Sequence, residues 1–223
     1  MVDHSASEYV RKGYQAAHAV PATGKKASGR ARFWRGVCEM STVYDELDET
    51  LIGFIRRQKL FFVATAPLSA EGSVNISPKG YESLAIIDPR TVAYVDLGGS
   101  GIETHAHLRE NSRVTLMFCA FEGPANILRL YGRGETCSFD EPGFAEKMKL
   151  FPAFERARGV ITIRIHRVAD SCGWGVPFFD YKGERDQLRR WVVARPDEEW
   201  AARRYEANAV SIDGLPGLTP PER

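Results

Sequence analysis

The chain has 223 residues, 43% of them hydrophobic, enough to bury a core in one large domain or two small ones. Its 30 basic residues balance 29 acidic ones at a net charge of +1, so it carries no electrostatic footprint for nucleic acid or for an anionic membrane. No apolar run reaches the roughly 18 residues of a membrane-spanning helix, and Cys38, Cys119, Cys137 and Cys172, with no C-x-x-C pair among them, read as reduced, mostly buried thiols of a cytoplasmic protein.

Residues 1–40 differ in composition from the remainder of the chain. They hold seven basic and three acidic residues, which makes them +4 and the other residues together −3. Between Pro21 and Arg32 there is little to bury, and the segment reads as a disordered basic arm. The apolar stretch of a secretory signal is missing from it. Met40 directly precedes the first organised residue, Ser41, which makes it a candidate start of translation.

From Ser41 the pattern sharpens. Thr42 is suited to cap a helix, Asp45 and Glu46 favour its positive end, and Val43, Leu47, Leu51, Phe54 and Ile55 recur at helical spacing. This predicts a helix over about 43–58. Short β-rich runs come next at Leu60–Ala66, Ser73–Ser77, Ser83–Ile87, Thr91–Leu97, Arg113–Ala120, Asn126–Ser138 and Val160–Val168, separated by Pro, Gly and Asp turns. Helices are expected at about Glu103–Glu110 and Glu141–Leu150. Many short strands with few helical interruptions indicate an antiparallel barrel or sandwich. The part after about residue 170 is an extension: a Gly, Trp and Pro turn, two charged periodic stretches (Glu184–Val193 and Asp197–Ala207) expected to be helices, and an aperiodic end.

Four constellations carry polar chemistry. On a strand, Asn75, Ser77 and Lys79 share one face while Val74, Ile76 and Pro78 share the other; an amide, a hydroxyl and an ammonium in a row suit an anionic or heterocyclic ligand, or equally a solvated surface. Tyr94-Val95-Asp96 runs through a glycine-rich loop into Glu103-Thr104, and N–H groups at a helix start attract phosphate. Arg129, Tyr131 and Arg133 share one face of a strand, alternating with Leu128, Leu130 and Gly132, and are suited to an anion or to surface ion pairs. Trp174, in Cys172–Phe179, is suited either to wall a planar group or to pack in a corner. His105-Ala106-His107 lies in helical context, where i and i+2 do not share a face, so no metal site is expected there. His166, on an apolar strand, reads as structural. Hydrolase motifs are absent from the sequence.

Taken in order, Phe61–Ala66, Asn75–Gly80, Tyr94–Asp96, Glu103-Thr104, Leu108–Val114, Leu116–Phe118 and Leu130–Gly134 resemble the pyridoxamine 5'-phosphate oxidase-like superfamily over about residues 43–170. The later segments Ser171–Pro177, Gly183–Arg185 and Ser211–Gly217 resemble a subgroup with mostly unassigned substrates. The resemblance implies a six-stranded antiparallel split β-barrel with peripheral helices, in this chain a domain of residues 41–170 with the extension 171–223 packed on it. It implies a homodimer with FMN between the subunits and an oxidoreductase acting on a small molecule. Asn75, Ser77 and Lys79 would line the flavin, Tyr94 and Asp96 would run beside the ring, Thr104 would meet the phosphate, and Arg133 and Trp174 complete the candidate set; no catalytic side chain is singled out. A flavin or haem carrier without turnover, or a relative using the deazaflavin F420, are the alternatives, with His105 or His107 the candidates to reach a haem. The vitamin enzymes carry an arginine before an aliphatic run ending in lysine where this chain has Asn75-Ile76-Ser77-Pro78-Lys79, and an Arg-Leu segment near their carboxyl terminus where this chain reads Leu-Thr-Pro-Pro-Glu-Arg. Both departures point away from pyridoxamine phosphate as the substrate.

Overall fold

A computed structural model of the chain describes residues 41–220. The basic arm and the question of Met40 lie outside the described residues.

The β-rich runs become strands because branched and aromatic side chains alternate with polar ones between turn residues. In chain order they are β1 (Val43–Tyr44), β2 (Phe61–Thr65), β3 (Asn75–Lys79), β4 (Leu84–Asp88), β5 (Thr91–Asp96), β6 (Arg113–Cys119), β7 (Ile127–Ser138) and β8 (Gly159–Ser171). All pairs are antiparallel, in the spatial order β3-β2-β6-β7-β8-β5-β4, with β1 paired to β8 at Val43↔Ala169, beyond the stretch of β8 that β5 covers. The path does not close: β3 and β4 are its two ends. This curled, open sheet is the split barrel. It counts eight strands where the resemblance implies six, one of the eight being the two-residue β1.

The helices are α1 (Glu49–Arg57), α2 (Glu103–Asn111), α3 (Phe144–Met148), α4 (Gln187–Val193) and α5 (Asp197–Ala207). α1 begins later than its periodicity predicts. Its N-cap is Asp48, whose carboxylate accepts from Leu51 N at 2.9 Å, not Thr42. Thr42 and Tyr44 are instead drawn to the sheet by Asp170, which accepts from Thr42 N at 2.7 Å and from Tyr44 Oη at 2.8 Å. Leu51, Phe54 and Ile55 of α1 enter one core with Val63, Val92, Tyr94, Leu116, Phe118, Leu128, Leu130, Ile161 and Ile163. β7 and β8, with 12 and 13 residues, are the long central strands that the rest is built around. β3 is displaced two residues from its predicted range and contains Pro78, which an edge strand tolerates because the missing N–H leaves no ladder bond unmade. His166 stands exposed on β8 and is not a core residue. Cys119 and Cys137 are buried free thiols and Cys172 is half-buried.

Candidate functional site

β3 inverts the usual amphipathic rule. Its Ile76 faces out, 64% exposed, as does Val74 just before the strand at 69%, while Asn75, Ser77 and Lys79 are half-buried and face the body of the sheet. The polar row is therefore the inner face, not a solvated one.

Two connected networks meet this row. In the first, Ser77 Oγ donates to Asn75 Oδ1 at 3.2 Å, and Asn75 Nδ2 donates to Thr65 Oγ1 at 3.2 Å and to Thr104 Oγ1 at 3.0 Å. Thr65 Oγ1 lies 3.0 Å from His107 Nδ1. Thr104 occupies the first turn of α2, whose N-cap residue, Ile102, supplies no side-chain hydrogen bond. That turn offers unfilled N–H donors and the positive end of the helix dipole. One acid, Glu103, stands in the same turn; its Oε1 accepts from Ile212 N at 3.2 Å.

The second network centres on Asp96, which is 1% exposed. Lys79 Nζ donates to Asp96 Oδ1 at 3.2 Å, His105 Nε2 donates to Oδ2 at 3.1 Å, and Arg158 grips the same oxygen through Nε at 2.9 Å and Nη2 at 2.7 Å. Burial by itself raises the Asp96 pKa; Arg158, then Lys79 and His105, reverse this and hold the carboxyl well below its ordinary 3.8. Tyr94 is fully buried two residues before it, with Lys79 Nζ 6.0 Å from its ring centroid. Burial, then the Asp96 charge, push its phenol well above 10, against opposing contributions from Arg158 and Thr104. Gly159 makes room for the cluster: a Cβ there meets Cys137 O at 2.8 Å and His105 Cε1 at 2.9 Å.

Six of the eight predicted residues are thus gathered along β3, at the C-terminal end of β5 and at the start of α2. Arg133 is not. It is exposed and donates to Asn111 O at 2.8 Å, at the opposite end of α2 from Thr104, where a cation complements the helix C-terminus. Trp174 lies on the turn after β8, 62% exposed. The two histidines of the H-x-H pair diverge as a helix requires, His105 to Asp96 and His107 to Thr65. Burial lowers the His107 pKa, against the raising effect of Asp213, Glu103 and Glu110. Sequence reasoning missed Arg158 and Thr65. The one available signal was an arginine set between Ala157 and an apolar strand, which implies a buried partner. Two cavities, of about 280 and 230 Å³, are lined by none of the eight predicted residues.

No helix among the described residues is long and apolar enough to cross a membrane. A family model described as pyridoxamine 5'-phosphate oxidase matches residues 47–201. The chain is 38% identical over 196 residues to the pyridoxamine 5'-phosphate oxidase family protein ustO of Aspergillus flavus, a match spanning 80% of this chain and 78% of that protein. Among solved structures, a Lactobacillus delbrueckii protein with a provisional assignment as a pyridoxamine 5'-phosphate oxidase is 19% identical, with 56% of this chain and 93% of that chain covered and a TM-score of 0.43. An FAD-binding protein from Mesorhizobium loti is 14% identical, with 59% and 96% covered and a TM-score of 0.41.

Proposed function

The chain belongs to the pyridoxamine 5'-phosphate oxidase family, and on that premise we propose that it binds FMN along β3 and the start of α2 and acts as an oxidoreductase on a small molecule. The carrying observation is the inverted strand: an edge strand that turns Asn75, Ser77 and Lys79 inward and leaves Val74 and Ile76 in solvent is built for something other than a core.

The donor set suits the cofactor. Asn75, Ser77 and Thr104 are neutral groups that both donate and accept, as a flavin ring edge requires. The uncapped first turn of α2 is suited to a phosphate. Tyr94 Oη and His107 Nε2 are buried with no hydrogen bond of good geometry, so polar capacity is left over at this end of the sheet. The fit has a cost: Lys79 is the cation of the row, and Asp96 already holds it.

FMN, when bound, supplies transfer of electrons between substrate and an acceptor. The chain's own residues bind and orient it. Asp96, clamped by Arg158, fixes the Lys79 ammonium in one position, and Asn75 ties β3 to the start of α2. In this reading a second copy of the chain covers the exposed apolar row of β3 and closes the cleft, giving a homodimer. A cytoplasmic location belongs to the same reading, supported by the buried free thiols.

The test is the visible absorption spectrum of the freshly purified protein, with mass spectrometry of what denaturation releases. FMN is the expected product. A colourless protein that takes up no added FMN overturns the reading, as does release of haem or a deazaflavin.

A further inference from the structure

The larger cavity, about 280 Å³, lies where α4 and α5 meet the glycine-rich loop after β5. Trp191 and Trp200 form one wall, edge to face with ring centroids 4.7 Å apart. Gly98 forms the floor, and must be bare: a Cβ there meets Trp200 Cζ2 at 2.9 Å. Arg203 and Arg204 supply the charge, and no acidic residue lines the cavity.

The lining is left incomplete in a particular way. Trp200 is 2% exposed, yet its indole N–H has no hydrogen-bond partner. Arg204 Nε is equally buried and unpartnered, and Arg204 makes no ion pair among the described residues. Its Nη1 reaches Ala157 O at 3.0 Å and its guanidinium stacks on Phe139. Burial, with the Arg156 charge, lowers the Arg204 pKa against the raising effect of Tyr205, Asp140 and Asp197. A desolvated guanidinium and an orphaned indole N–H, beside two tryptophan faces, match an acceptor with two oxygens joined to a flat apolar body. The volume, about 280 Å³, falls just below the roughly 300 Å³ at which small-molecule pockets begin, which restricts the ligand to a small one.

We propose that this cavity is a binding site for a small aromatic carboxylate of one or two rings, distinct from the β3 row. Asn208 connects the two regions: it lines the cavity and its Oδ1 accepts from Arg158, the residue that clamps Asp96. The site is independent of the flavin reading, since none of its lining residues belongs to the β3 row.

The experiment is isothermal titration of the as-purified full chain with benzoate, benzamide and acetate. Benzoate is expected to bind saturably. Benzamide, which lacks the charge, and acetate, which lacks the ring, are each expected to bind about tenfold more weakly or worse, the discrimination one charge-assisted hydrogen bond provides. Arg204→Gln is expected to remove the benzoate heat. Ala207→Trp, at an exposed helix position on the cavity lining, is expected to plug the site with the melting temperature unchanged. Absence of saturable benzoate binding overturns the proposal, as do equal binding of benzamide and unchanged binding in both variants. A change of oligomeric mass in Ala207→Trp overturns it too, by making the cavity an interface between copies.

Discussion

β8 and β3 belong to one sheet and obey opposite rules. β8 lies between β7 and β5, and its Val160, Ile161, Ile163 and Ile165 are buried while Arg164 and His166 face solvent. β3 lies at the edge with its hydrophobic side chains outside and its polar ones inside. Burial of apolar area explains the first arrangement at about 25 cal/mol per Å². It cannot explain the second, because turning Ile76 inward would bury more apolar surface than Ser77 does. Composition that works against folding calls for a contact outside the core, and the proposed function supplies two: a ligand on the inner face and a second copy on the outer.

Several measurements can break that contrast. The largest effect is expected at the buried hub that supports the polar row. Arg158→Met leaves Asp96 buried with fewer partners and should cost about 3–5 kcal/mol in urea unfolding. The same hub sets an acid limit. Because the folded Asp96 pKa is depressed, its stabilising charge is fully present above the unfolded value near 3.8 and is lost as pH falls below that toward the folded value. An Asp96→Asn variant should lose this slope, and stability measured from pH 5 downward checks it. On β8, Ile163→Ala should cost roughly 2–5 kcal/mol, as a void in a packed core does. On β3, Lys79→Ala should weaken FMN binding by roughly 1.5–3 kcal/mol in a titration under native conditions; an unchanged dissociation constant removes Lys79 from the site. Smallest of all, Ile76→Ser should change protomer stability by less than about 0.5 kcal/mol. It should nonetheless weaken the proposed dimer in sedimentation equilibrium, and an unaltered association would leave the exposed row of β3 without an explanation.

Much of the fold was legible because its signals are local. Strand ranges from β2 to β7 fall within about two residues of the alternating runs, since alternation and turn residues act over a few positions. The clearest error, starting α1 at Val43, came from a contact no local pattern announces: Asp170, 126 residues from Tyr44, takes that segment into the sheet. The same division holds at the site. Parity along β3 put Asn75, Ser77 and Lys79 on one face, and the family resemblance assembled them with Tyr94, Asp96 and Thr104. Arg133 and Trp174 carried suitable chemistry, but the fold delivers Arg133 to the C-terminal end of α2, opposite Thr104, and sets Trp174 on the turn after β8.

What the sequence determined by itself is therefore the set of elements, their periodicity and the parity of side chains along each strand, all properties of neighbouring residues. Only the tertiary structure decided which face of β3 looks inward, that Lys79 is held by Asp96, and that Arg158, 62 residues further along, closes the cluster. Those choices rest on the pairing of distant strands and on the cost of burying a charge without a partner, and a partner is chosen in space rather than along the chain.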